Sequence, residues 1–281
     1  MVARHRAPLR KGTDTAAAIR LVPGGAGANV ASWAAYWGCA DVRLLGRVGA
    51  ESADWHAKAL RDAGVRPLLA VDDEAPTGTV ICLVDAAAER TFLTDSGAVL
   101  RLDPADWSPG LLDGVAHLHL SGYLFFAEPG RTTATTALAA ARARGVSVSV
   151  DPASAGFLAE TGVDRFLAAT AGVDVLLPSH DEAELLTGLP DPLDAAAKLS
   201  HQFPLVVAKQ GAEGAVVSSA GSTPVRIPPV PATASDTTGA GDAFTGAFLC
   251  ARLNRAPATE AAAEGCRAGA LAVERVGGRP E

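Results

Sequence analysis

The chain has 281 residues, enough for one large domain or two ordinary ones, and its 48% hydrophobic and 20% charged residues mark a globular protein and exclude a disordered one. With 31 acidic against 24 basic side chains the formal charge is −7, which argues against the basic stripe of a nucleic-acid binder, so no nucleic-acid partner is expected. No apolar run approaches the ~18 residues that cross a bilayer, and the 4 cysteines (Cys39, Cys82, Cys250 and Cys266) form no C-x-x-C pair, so no membrane partner, zinc site or disulfide framework is expected and a reducing, cytoplasmic setting fits best.

Residues 1–11 read as a polar, irregular arm with solvated Arg4, Arg6, Arg10 and Lys11; no apolar segment follows the charges, so the arm is not a secretory signal. Residues 15–22 predict a short strand. PGGAGANVASWAAYWG, residues 23–38, is a glycine turn feeding a small-residue helix over 29–37 that can pack very closely, with Gly38 as its C-cap. A strand is expected at 42–48 and a helix at 52–63, ended by Gly64. Residues 65–94 read as β structure, with strands at 79–84 and 90–94 joined by a turn over 85–89 into a hairpin. Beyond that the rhythm alternates. Strands are expected at 115–120, 146–150, 173–177, 205–208 and 215–218, and helices at 131–144, 163–171, 181–187 and 192–201. Such alternation predicts a parallel sheet covered on both faces. IPPVP, residues 227–231, reads as an edge or connector, and an alanine-rich helix over 260–274 closes the chain. The expected architecture is one unit over residues 1–281. It is an α/β, Rossmann-like three-layer body with a mainly parallel sheet and a small β lid drawn from about 12–22 and 65–95, with a cleft between them for a small ligand.

The stretch DTTGAGDAF, residues 236–244, carries the chemistry. A glycine turn feeding a helix leaves N–H groups pointing outward, and the helix dipole adds positive charge there, so Gly239, Ala240 and Gly241 can cradle a phosphate. Asp242 would repel an anion as a receptor but makes sense as a base taking a proton from whatever attacks the phosphate. The plainer reading is an N-capping aspartate. The whole string resembles the C-terminal signature of the ribokinase-like (PfkB) carbohydrate kinases, DT.GAGD.F, at Asp236, Thr237, Gly239, Ala240, Gly241, Asp242 and Phe244.

That resemblance organises three further segments. GGAGANVA is similar to the family's N-terminal motif, which implies that Gly24 and Gly25 let the backbone approach a sugar and that Asn29 bonds its hydroxyls. Read instead as a dinucleotide loop, the segment lacks a glycine at Val30. LLPSHDEAELLTG resembles the family's NxxE segment, which implies that Glu182 organises Mg2+ beside ATP phosphates, with Ser179 where asparagine is expected; otherwise these are first-turn acids of a helix. VVAKQGAEGAVV resembles the nucleotide loop, placing Lys209, Gly211 and Gly214 beside ATP, while the counterpart of the closing helix lines the adenine pocket near Cys266. Asp236 and Thr238 match positions that bind a monovalent cation, K+, in many relatives. His117 and His119 share one face of a strand without a third ligand, and packing is expected of them.

Members of this family begin with a central strand and a substrate aspartate that this sequence does not match, so the first central strand is expected to be missing. The function implied is ATP-dependent phosphorylation of a hydroxymethyl group on a small sugar or sugar acid. Asp242 would be the base and Gly239 to Asp242 the anion hole. A nucleoside or vitamin-precursor kinase of the same fold, or a non-catalytic sugar- or nucleotide-binding protein, are the alternatives. Exposed lid strands would want covering, so a homodimer through the lid is expected.

Overall fold

A computed structural model describes residues 1–86 and 90–280; the expected turn at 85–89 therefore lies in part outside the described residues. In chain order the elements are β1 Val2–His5, β2 Ala17–Arg20, α1 Ala26–Tyr36, β3 Val42–Gly49, α2 Ala53–Asp62, β4 Val65–Asp72, β5 Thr77–Val84, β6 Arg90–Gly97, β7 His117–Ser121, α3 Gly130–Ala143, β8 Ser147–Asp151, α4 Ala155–Thr161, α5 Val163–Ala169, β9 Val175–Leu176, α6 His180–Thr187, α7 Pro192–Leu199, β10 Leu205–Lys209, β11 Ala215–Ser219, β12 Val225–Ile227, α8 Ala240–Leu253 and α9 Ala258–Val273.

Val148, Val150, Val206, Val207 and Val216 have no exposed surface, which is what strands covered on both faces require. They lie in a six-stranded sheet ordered β12-β11-β10-β9-β8-β7. It is parallel from β7 to β10 and antiparallel from β10 to β12. Alternation along β10 sends Val206 and Ala208 to one core and Leu205 and Val207 to the other. The first core packs under α3 to α7, the second under α1, α8 and α9, giving three layers. The small residues of α1 allow the expected close packing: a Cβ on Gly246 of α8 would lie 2.6 Å from the Val30 carbonyl oxygen of α1.

β3 and β4 form a separate parallel pair. No strand among the described residues joins β3 to β7. Helix α1 packs on both strands, and Leu44 and Leu45 of β3 with Leu118 and Leu120 of β7 line one cavity of about 2390 Å³. Among the described residues the body is thus split between β3 and β7.

The lid is a four-stranded sheet ordered β2-β1-β5-β6. Two expectations need correction. The arm at 1–11 contains β1, which pairs with β2 on one side and β5 on the other and buries Val2 and Ala3. Residues 65–72 are not lid: β4 pairs with β3 in the body, and only β5 and β6 supply the lid hairpin. Hydrophobicity alone does not say which sheet an apolar run joins. Helix α4 falls in a segment for which no element was expected, and β12 ends on Ile227, the first residue of the expected edge or connector.

Candidate active site

The cradle forms as the glycines demand. Gly239 is the N-cap of α8 at φ 77°, and a Cβ there would lie 2.5 Å from Gly278 Cα, so only glycine fits both the turn and the neighbour. The Ala243 N–H bonds Gly239 at 2.8 Å, while the N–H groups of Gly241 and Asp242 have no backbone acceptor among the described residues. These are the donors that a helix start leaves for an anion. Asp236 holds the turn in place. It accepts from the Thr238 N–H at 2.9 Å and, across the chain, from the Gly277 N–H at 3.1 Å.

Asp242 lines the cavity at the mouth of this cradle. Its Oδ2 accepts from Asn29 Nδ2 at 2.8 Å, which couples the first glycine motif to the last. Burial pushes its carboxyl up to about 7; the bond from Asn29 opposes this, nearby Asp151 adds to it and Lys209 opposes it. The N-cap reading of Asp242 does not hold: Gly239 occupies that position and Asp242 stands in the first turn of α8.

Lys209, at the end of β10, is buried against Asp151, at the end of β8, and the two form an ion pair. Thr245 Oγ1 donates to the same Asp151 oxygen at 3.0 Å. Burial pulls the Lys209 ammonium down, but Asp151 and Glu182 outweigh it and hold the group above its ordinary range. Glu182 is pushed up, first by burial and then by Asp151. Ser179 and Glu182 form a reciprocal cap on α6: Ser179 N–H donates to Glu182 Oε2 at 2.8 Å and Ser179 Oγ accepts from Glu182 N–H at 3.3 Å.

Gly211 and Gly214 turn the chain between β10 and β11, with Gly214 packed against the Ile227 carbonyl. Cys266 is buried in α9 beside Phe244 and Leu249. All the residues singled out from sequence line the one cavity except Asp236, which sits behind the turn. His117 and His119 bond Ser149 Oγ at 2.7 and 2.8 Å, and burial drives them down to about 3 and about 4, so both are neutral packing groups. Sequence reading missed Asp151, Tyr123 and Arg279, all on the cavity wall. Asp151 carried a signal: it is the acid at the carboxyl end of a parallel strand, where open α/β sheets bind ligands.

Comparison with known proteins gives the chain a family and a fold. The sequence pattern described as "pfkB family carbohydrate kinase" matches residues 2–281. A fructokinase of Klebsiella pneumoniae is 33% identical over 240 residues, covering 81% of this chain and 76% of the relative. A 2-dehydro-3-deoxygluconokinase of Dickeya dadantii is 28% identical, covering 80% and 78%. Among solved structures, an Escherichia coli protein in complex with ATP and Mg2+ superposes with a TM-score of 0.86 at 24% identity, covering 99% of this chain and 91% of that one.

Proposed function

Because this chain belongs to the pfkB family of carbohydrate kinases, we propose that the cavity holds ATP and a small sugar or sugar acid and that Asp242 removes the proton from the sugar's hydroxymethyl group as it attacks the γ-phosphate. The observation that carries the reading is Asp242 itself, set on Asn29 at the mouth of the cradle with a carboxyl near 7. A base of that pKa accepts a proton readily at neutral pH. The free N–H groups of Gly241 and Asp242 hold charge that develops on the transferring phosphoryl group, a largely electrostatic contribution. Lys209 reaches the underside of the cradle, its Nζ lying 3.6 Å from where a Gly241 side chain would begin, so its charge bears on the same place. Gly24, Gly25 and Asn29 receive the sugar; Ser179, Gly211, Gly214 and Cys266 line the nucleotide side.

The donor set suits Mg2+. Asp151 pushes both Glu182 and Asp242 up, so this corner carries more negative charge than Lys209 answers. No cluster of three ligands able to hold a metal directly occurs among the described residues. That pattern fits an ion held by one or two carboxylates and the phosphates of its nucleotide. Glu182 and Asp151 would hold it, and when bound it neutralises phosphate charge. Asp236 and Thr238 are assigned to a monovalent cation, K+, behind the turn. The lid's outer face exposes Ile19 and Leu93, which supports a homodimer through the lid.

Asp242→Asn tests the reading. Turnover of ATP with a panel of pentoses, hexoses and ketodeoxy acids should fall ~10²–10⁴-fold while ATP binding, followed by calorimetry, persists. Full activity in the variant would remove Asp242 from the mechanism.

A further inference from the structure

Arg279 closes a strap, residues 277–279, that runs back from α9 into the active site. Trp33 Nε1 donates to the Gly278 carbonyl at 3.0 Å, and a Cβ on Gly278 would fall 2.5 Å from Asn29 Nδ2, the group that bonds Asp242. The strap therefore delivers Arg279 to the sugar side of the cavity. There its Nη2 donates to the Gly24 carbonyl at 2.7 Å.

The rest of the guanidinium is unanswered. Nε and Nη1 are buried and have no acceptor among the described residues. Burial lowers its pKa to about 10, and no carboxylate acts to raise it again. The charge also depresses nearby His56, behind burial as the larger cause. A desolvated guanidinium with two unused donors costs free energy in the empty protein, and a bidentate oxyanion is the partner its planar fork fits. Its bond to Gly24 places it at the loop assigned above to the sugar.

We propose that the acceptor of this kinase is an anionic sugar, carrying a carboxylate or a phosphate remote from the phosphorylated hydroxymethyl group, and that Arg279 binds this oxyanion. The proposal rests on the kinase reading and narrows its substrate class. Its test is a comparison of D-fructose, D-fructose 6-phosphate and 2-dehydro-3-deoxy-D-gluconate, by initial rates with ATP and Mg2+ and by calorimetric titration without nucleotide. One anionic acceptor is expected to exceed fructose at least tenfold in kcat/KM, and which one it is identifies the oxyanion. Arg279→Met should raise the KM of that acceptor at least tenfold, with the KM for ATP moving less than twofold, and Arg279→Lys should fall between. A wild-type preference for fructose, or a variant whose loss is in ATP affinity, overturns the assignment and leaves the kinase reading standing. If none of the three is phosphorylated, the kinase reading fails for these acceptors and calorimetry decides the inference. Binding of an anionic sugar that Arg279→Met abolishes upholds it, and no anionic binding by the wild type sinks it.

Discussion

Asp242 and Lys209 decide most of what single residues can test. Only the Asp242 carboxylate can accept a proton, and burial holds its pKa at about 7. The wild-type kcat/KM should therefore rise with pH through neutrality and level off above it, and Asp242→Asn should flatten that limb. Stability runs the other way. In the unfolded chain an aspartate titrates near ~3.9, so the folded form holds this proton more tightly. The cost to stability is small below ~4, grows as pH rises, and is complete above about 7. Asp242→Asn should accordingly melt higher than wild type at pH 8, with the gap closing toward pH 4. The Lys209–Asp151 pair has little contact with water, with 12% and 10% of the side chains exposed. Lys209→Met strands Asp151 beside Glu182 and should cost ~3–5 kcal/mol in urea unfolding, whereas the double variant with Asp151→Asn should cost less than the two singles summed.

Among the elements, α6 and α8 depend on their first residues. Serine stands where the family pattern expects asparagine, and the geometry makes sense of it: Ser179 caps α6 reciprocally with Glu182. Ser179→Ala should lose ~1 kcal/mol, while Ser179→Asn, an equally good cap, should stay within a few tenths by the same unfolding measurement. This cap was readable as S-x-x-E before a helical run, but the acids of that turn draw the eye to metal and dipole roles instead. For α8 the critical position is Gly239. Alanine there would carry a left-handed φ and meet the strap at Gly278, so Gly239→Ala should lose both stability and phosphoryl transfer, checked by melting and by ATP turnover. Strand β1 shows the opposite difficulty: four residues, one of them Arg4, are too few to show a period, and only pairing on both sides makes them a strand.

For the whole molecule, the interrupted sheet sets where the structure opens. β8 to β10 run through the interior with a strand on each side, whereas β3 and β4 are a lone pair bordering the cavity. Two-stranded sheets are marginal without further partners. Amide exchange should therefore be faster in β3 and β4 than in β8 to β10, and equal protection would mean that the two sheets open as one unit.

The layers, the glycine turn before α8 and the acid in its first turn were legible in the chain because each depends on local pattern: alternating apolar runs, glycines at a turn, an acid at a helix start. Tertiary structure alone decided which sheet β1 and β4 joined, that Asn29 would hold Asp242, and that Asp151 and Arg279 would stand at the same cavity. Asn29 and Asp242 are 213 residues apart and Arg279 meets Gly24 across 255 residues, and spacing along a sequence carries no record of contacts made only when distant strands and helices pack.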